Sequence, residues 1–147
     1  MSEEGTFKKV EKTAEKMYGP KGLLVCGYPE PEQHTLLALL EKSELADFPV
    51  IFATNNDIKK TLKEVFDCDH KHGHGETSEM KRAAIMSGFT HEELHILMAD
   101  YRSSELPTQH WAALTPISEN WSVGALLNEL AAEAAEIKKE MQKNKTK

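Results

Sequence analysis

Residues 27–54 read GYPEPEQHTLLALLEKSELADFPVIFAT, and residues 88–115 read GFTHEELHILMADYRSSELPTQHWAALT. Aligned without a gap, with Gly27 matched to Gly88, the two stretches share nine identical pairs in 28 positions. Average residue usage would give about two such identities by chance. With a four-residue insertion the match resumes at Leu62 and Leu127. The sequence therefore predicts a tandem duplication that covers most of residues 22–137.

Each predicted copy contains a strand, an amphipathic helix, a second strand and a second helix. The first strand of the first copy is the apolar run GLLVC at residues 22–26, which ends at a glycine. The helical stripes have i, i+3, i+4, i+7 spacing and coincide between the copies: Gln33, Leu36, Leu37, Leu40 and Leu94, Leu97, Met98, Tyr101. Residues 49–54 and 111–115 read as the second strands. Asn55 or Asn56, and later Ser122, are candidate caps of the helices that follow.

Strands joined by helices run parallel, with right-handed crossovers, so each copy should be a βαβα unit. We expect an α/β fold, internally duplicated, with a four-stranded, mostly parallel sheet in the order 2-1-3-4 and helices on both faces. In this arrangement the twofold axis lies along the strands. The alternative is an axis perpendicular to the sheet, which would make the two halves antiparallel and separate the two Gly-aromatic turns.

The predicted boundaries describe a single domain over residues 1–147. An N-terminal helix within residues 1–20 precedes a first copy at 21–66, a linker at 67–81, a second copy at 82–142 and a tail at 143–147. The N-terminal helix, over residues 6–18, is expected to cover an exposed edge or face of the core, or a face of a second subunit in a homodimer.

Charge and hydropathy exclude several classes of protein. The chain has 24 acidic and 18 basic residues and a net charge of -6, which argues against nucleic acid or an anionic membrane as the main partner. No apolar run approaches the roughly 20 residues that span a bilayer. The first residues contain no hydrophobic region of the secretory kind. We expect a cytoplasmic protein in which Cys26 and Cys68 are free thiols.

Neither Gly-aromatic turn carries a nucleotide-binding pattern such as G-x-G-x-x-G. Carboxylates occupy the helix starts that an anion would need: Glu30, Glu32, Glu92 and Glu93. Cys26 ends a strand, but its counterpart is Ser87, and no histidine and acid evidently partner it. The sequence therefore favours a binding or regulatory module over an enzyme.

A small ligand or a partner protein would sit where the first strands of both copies end, since open α/β sheets bind ligands at such a point. The candidate ligand-binding residues are Tyr28, Phe89, Thr54, Thr115 and Trp121. The structural alternative is that the two aromatic residues only fasten the helix starts to the sheet and that Trp121 only seats the last helix.

The linker DCDHKHGHGETSEMK holds a second candidate site. Its donors share one parity, so an extended segment would point them to one side: Cys68, His70, His72, His74 and Glu76. These residue types bind Zn, Ni or Cu, with Gly73 and Gly75 allowing the chain to curl. The alternative is a solvated linker. His34 and His95 also recur at equivalent positions, but the favoured arrangement places them on opposite faces of the sheet.

The second copy resembles a family of small bacterial domains of unknown function, in which a strand ends in Gly-Phe and a later strand closes on Thr-Pro and an Asn-Trp. The matching residues are Gly88, Phe89, Glu92, Glu93, Thr115, Pro116, Asn120, Trp121, Leu126, Leu127 and Glu133. The first copy has Tyr28 in place of the Phe and lacks the Thr-Pro and Asn-Trp pairs. The resemblance covers about 50 residues and implies no activity.

Overall fold

A computed structural model describes residues 16–76 and 78–145 of the chain. The strands are β1 (Gly22–Cys26), β2 (Val50–Phe52), β3 (Ala83–Ser87) and β4 (His110–Ala113). The helices are α1 (Glu30–Lys42), α2 (Leu62–Phe66), α3 (His91–Ser103) and α4 (Val123–Lys145). Short 3-10 turns at Asn55–Asp57 and Ser118–Asn120 precede α2 and α4.

The four strands form one sheet in the order β2-β1-β3-β4, as predicted. The prediction of a mostly parallel sheet was wrong. β1 pairs with β2, and β3 with β4, in parallel, but β1 and β3 are antiparallel. The crossover helices dictate strand direction only within a half, whereas the linker between the halves leaves both directions open.

The central register is symmetric about one pair of residues. Leu24 lies opposite Ile85, with Gly22 opposite Ser87 and Cys26 opposite Ala83. Leu24 and Ile85 are also 61 residues apart, which is the offset of the sequence alignment, so a local twofold axis runs through this pair and perpendicular to the sheet. The bounds of β3 and α3 are the repeat equivalents of the bounds of β1 and α1, respectively.

The two faces of the sheet bury different sets of side chains, because successive strand residues point to opposite sides. α1 and α3 pack on one face over Leu23, Val25, Val50, Phe52, Ala84 and Met86. α2 and the start of α4 pack on the other over Leu24, Cys26, Ile51, Ala83 and Ile85. Helices therefore lie on both faces, as the sequence indicated.

Capping residues decide where the helices begin. Thr90 and Glu93 form the predicted capping box of α3, with backbone-to-side-chain hydrogen bonds of 2.9 and 3.0 Å. The expectation that Asn55 or Asn56 caps the helix after β2 was wrong, because Thr61 caps α2 in a box with Glu64. Ser122, the repeat equivalent of Thr61, accepts the N–H of Ala125 at 3.1 Å as α4 begins. The alignment of the two copies thus continues without the four-residue insertion.

Two predicted boundaries, one near each end of the chain, can be compared with the structure. The predicted helix over residues 6–18 lies outside the described residues except for 16–18, where Lys16 bridges to Thr90 and the Met17 N–H donates to Phe89 O at 2.7 Å. α4 extends to Lys145, beyond the predicted end of the second copy at residue 142. Within the part of the chain that the structure describes, no helix is both long and apolar enough to cross a membrane.

Candidate functional site

The five residues expected to form one ligand site are not gathered into one place. Since Cys26 lies opposite Ala83 and Gly22 opposite Ser87, the turns that follow β1 and β3 leave the sheet at opposite ends. Tyr28 and Phe89 are 3% and 0% exposed, so they are core residues. Thr54 is buried beside the first turn, whereas Thr115 and Trp121 belong to the exposed segment after β4. Antiparallel pairing of the halves thus separates the predicted site.

The central linker folds as successive turns rather than as an extended segment, with Lys71, Gly73 and Gly75 at positive φ. His70 Nδ1 accepts the Val50 N–H at 3.0 Å. His72 Nε2 lies 3.2 Å from Asp57 Oδ2. The His74 ring packs edge-on against His34, with 4.9 Å between ring centroids. Cys68 Sγ lies 3.9 Å from Glu64 O. The donors thus point into different surroundings.

Among residues 16–76 and 78–145, no three His, Cys, Asp or Glu side chains are arranged to hold a metal ion. The linker binds to the outer edge of β2 instead. Metal binding by Cys68, His70, His72, His74 and Glu76 stays a prediction. The contact of Glu76 with α1 is made by its backbone: the Glu76 carbonyl oxygen accepts a hydrogen bond from Gln33 Nε2 at 2.9 Å. His95 is exposed on α3, which shares a face of the sheet with α1 and not the opposite one as expected.

The two outer edges of the sheet differ. On β2, the N–H of Val50 is bonded to His70, its carbonyl accepts from the Lys71 N–H at 2.7 Å, and the N–H of Phe52 donates to His72 O at 2.8 Å. All three residues of β2 are buried. The linker therefore seals this edge.

β4 forms the opposite edge, and all four of its residues are partly exposed. The His110 and Leu114 N–H groups donate inward to β3, so by alternation the N–H and carbonyl groups of Trp111 and Ala113 point outward. No described residue forms a hydrogen bond to these outward groups. Within the described part of the chain, β4 is therefore an open edge, in contrast to β2.

An apolar recess of about 180 Å³ lies between β4 and α3, on the face that carries α1. Its lining residues are Met98, Tyr101, Arg102, Leu106, Thr108, Gln109 and Trp111. The rings of Tyr101 and Trp111 meet edge-to-face, with centroids 5.2 Å apart. The Tyr101 hydroxyl donates to Pro107 O, which ties the loop after α3 to that helix. We call this cavity the apolar recess.

A second recess, of about 260 Å³, opens at the start of β4 and is lined by Lys81, Arg82, Thr108, Gln109 and His110. We call it the basic recess. Thr108 and Gln109 line both cavities, so the two adjoin. Neither lining includes a carboxylate, in a protein whose net charge is -6.

A polar network beneath the basic recess holds its donors in place. The Tyr28 hydroxyl donates to Gln109 Oε1 at 2.7 Å, and the Arg82 guanidinium lies over the Tyr28 ring, 4.4 Å from its centroid. Arg82 Nη2 donates to Glu32. Burial raises the pKa of Tyr28, and the neighbouring Tyr101 raises it further, so the Tyr28 hydroxyl stays protonated and donates.

Two donors of this network have no acceptor within the described part of the chain. Arg82 Nη1 and Gln109 Nε2 are buried and without a hydrogen-bond partner among the described residues. Buried polar groups in folded proteins are nearly always bonded, so such an orphan donor marks a place where an acceptor is missing. Both residues line the basic recess.

Little in the sequence pointed to this site. The sequence predicted only that Trp111 belongs to a second strand. β4 differs from β2 because the two halves pair antiparallel and because the linker contacts β2.

Residues 82–137 match the family model described as Domain of unknown function (DUF3783). The match includes β3, α3, β4 and the first part of α4, and thus the second half of the sheet, fewer than half of the 147 residues. It agrees with the resemblance seen in the second copy and does not extend to the first. Neither a curated protein nor a solved structure matches the chain significantly.

Proposed function

We propose that this protein is a non-catalytic binding module that takes an extended segment of a partner protein as a fifth strand along β4. The observation that carries the proposal is the difference between the two edges. Three outward groups of β2, the Val50 N–H and carbonyl and the Phe52 N–H, are bonded to the linker, whereas described residues leave those of Trp111 and Ala113 without partners. Unpaired strand edges are templates for strand addition.

The apolar recess supports a peptide rather than a small molecule as the occupant. Drug-sized ligands occupy single pockets of about 300–1,000 Å³, whereas the space here is divided between the apolar recess of about 180 Å³ and the adjoining basic recess of about 260 Å³. The volume of the apolar recess suits one apolar side chain of a strand that lies along β4. Alternate residues of an added strand point to the same face, so such a side chain would enter beside Trp111.

Charge complementarity favours a different protein over a second copy of this chain. An antiparallel pair of β4 strands would place the segment after Ala113 of one copy beside the basic recess of the other. That segment begins Leu114, Thr115, Pro116 and contains no carboxylate until Glu119. A partner segment that carries an acidic group complements the recess better.

The properties of Cys26 support a role other than catalysis. Burial, together with the charge of Asp57, raises the pKa of this thiol to about 12, so it is protonated at neutral pH. The side chain is also 0% exposed. This thiol therefore serves as a core residue.

Duplication of an ancestral half is part of the same proposal. Its support is the repeated element order, the coincident bounds of β1 with β3 and of α1 with α3, and the symmetric register about Leu24 and Ile85. After duplication, a linker between the halves would seal one edge and leave the other for a partner.

The test begins with selection of binders from a library of random decapeptides, followed by hydrogen exchange of the protein with and without a selected peptide. We expect protection of the Trp111 and Ala113 amides and loss of binding in Ala113→Pro, because proline removes an outward N–H. Ala113→Val keeps that N–H and is the matched control. Failure to select any binder, or binding that Ala113→Pro leaves unchanged, contradicts the proposal.

A further inference from the structure

We infer that the basic recess binds the C-terminal carboxylate of the partner segment, so that the module recognises the end of a protein chain. The inference rests on the proposed strand addition and specifies its ligand. It begins from two buried donors without acceptors among the described residues, Arg82 Nη1 and Gln109 Nε2, which belong to residues that line one cavity.

Both donors are fixed before any ligand arrives. Glu32 accepts a hydrogen bond from Arg82 Nη2, and the Tyr28 ring packs against the Arg82 guanidinium. The Tyr28 hydroxyl donates a hydrogen bond to Gln109 Oε1. The other polar group of this side chain, Nε2, still needs an acceptor. Two N–H donors from different side chains suit the two oxygens of a carboxylate.

The charge of the recess suits the same ligand. Lys81 and His110 lie beside Arg82, and no acidic side chain lines the cavity. Glu32 neutralises only part of this basic character. An anion placed there would meet donors and positive charge without a competing carboxylate from the lining.

Position favours a chain terminus over an acidic side chain. The basic recess lies at His110, the first residue of β4, where a strand added to the edge would leave the sheet. A segment that ends there has its terminal carboxylate at the recess and its last side chains near the adjoining apolar recess. Such a segment would run antiparallel to β4, because its C-terminus would lie at the N-terminal end of β4.

The test uses two libraries of random decapeptides, one displayed with a free carboxyl terminus and the other with that end blocked by fusion. We expect enrichment from the first library only. A selected peptide synthesised as its C-terminal amide should bind about 10- to 100-fold more weakly than the free acid, since one charge-assisted contact is lost.

Variants locate the effect. Arg82→Gln should weaken the free acid to the level of the amide and leave the affinity of the amide unchanged. Arg102→Gln removes the same charge from the apolar recess and should affect both forms equally. If Arg82→Gln does not fold, Gln109→Met removes the second donor and should reduce the difference between acid and amide.

The inference and the proposed function fail separately. Equal binding of acid and amide, with both blocked by Ala113→Pro, overturns the carboxylate inference and leaves strand addition standing. Enrichment of Asp or Glu peptides from the blocked library, with sensitivity to Arg82→Gln, shows a side-chain carboxylate and overturns the choice of a terminus. A dimer in sedimentation that Ala113→Pro dissociates identifies a second copy and overturns both.

Discussion

His72 Nε2 lies 3.2 Å from Asp57 Oδ2, and this contact joins the linker that seals β2 to the buried carboxylate that closes the turn after β2. The same carboxylate accepts the Thr54 N–H at 2.9 Å and lies 3.0 Å from Lys60 Nζ. At the equivalent place in the second half, the Ser118 hydroxyl accepts the Thr115 N–H at 3.0 Å. Only the first half therefore places a charge there.

We predict that Asp57 makes stability depend on acid pH. Burial raises the pKa of this carboxyl, but hydrogen bonds from Thr54, Lys60 and His72 outweigh it and hold the pKa below the ordinary 3.8. A depressed pKa adds stability that is present above 3.8 and is lost as the pH falls through the folded-state value. Urea denaturation of wild type and Asp57→Asn between pH 2 and pH 7 measures this contribution.

Asp57→Asn should lower the free energy of unfolding at pH 7 by about 1–3 kcal/mol, and the difference from wild type should shrink in acid. Asp67→Asn, an exposed carboxylate on the same half, is the control. A difference from wild type that stays constant down to pH 2 contradicts the assignment.

We predict that the seal on β2 depends on Gly73. This residue has a φ of 74°, and a Cβ there would lie 2.0 Å from Phe52 O. Gly73→Ala should therefore displace the linker and accelerate hydrogen exchange at Val50 and Phe52. Gly75→Ala is a matched control, since its φ is also positive, 91°, but its nearest atom would be 3.8 Å away. Gly75→Ala should lower the free energy of unfolding only through backbone strain, by about 1–2 kcal/mol. Equal exchange in the two variants contradicts the prediction.

We predict that metal ions and the sealed edge compete. For Zn, Ni or Cu to bind through His70, this residue must give up its contact with the Val50 N–H, because a metal on either ring nitrogen leaves Nδ1 unable to accept. Metal addition should then accelerate exchange of the Val50 amide, measured by nuclear magnetic resonance. Calorimetric titration of the triple variant His70→Ala, His72→Ala, His74→Ala is the companion experiment. Affinity equal to wild type for all three metals contradicts metal binding at the linker.

We predict that the second half does not fold as a monomer. Its core strand β3 pairs with β1 along its whole length, so residues 82–145 alone would expose that edge and the apolar residues of both faces. The fragment should be unfolded by circular dichroism or should form a twofold dimer in which a second β3 replaces β1. Analytical ultracentrifugation distinguishes these states, and a folded monomer contradicts the prediction.

Local sequence signals predicted much of the fold. The stripes beginning at Gln33 and Leu94, the capping box of Thr90 and Glu93 and the apolar run at residues 22–26 each reflect a preference within a few residues. The strand order followed from the repeat. The direction of β3 relative to β1 did not, because it depends on long-range pairing that helix periodicity does not encode.

The site was missed for the same reason. Tyr28 and Gln109 are 81 residues apart in the chain and come together only when the halves pair antiparallel. The histidines at 70, 72 and 74 attracted attention as metal ligands because of their type and spacing. In the fold, the His70 side chain and the His72 backbone carbonyl accept hydrogen bonds from β2 and complete the edge of the sheet.

The sealed β2 edge also limits assembly. A sheet with two open edges can recruit copy after copy and grow into a filament. Here residues 70–72 occupy the β2 edge, so copies of this chain can pair only along β4 and cannot grow into a filament.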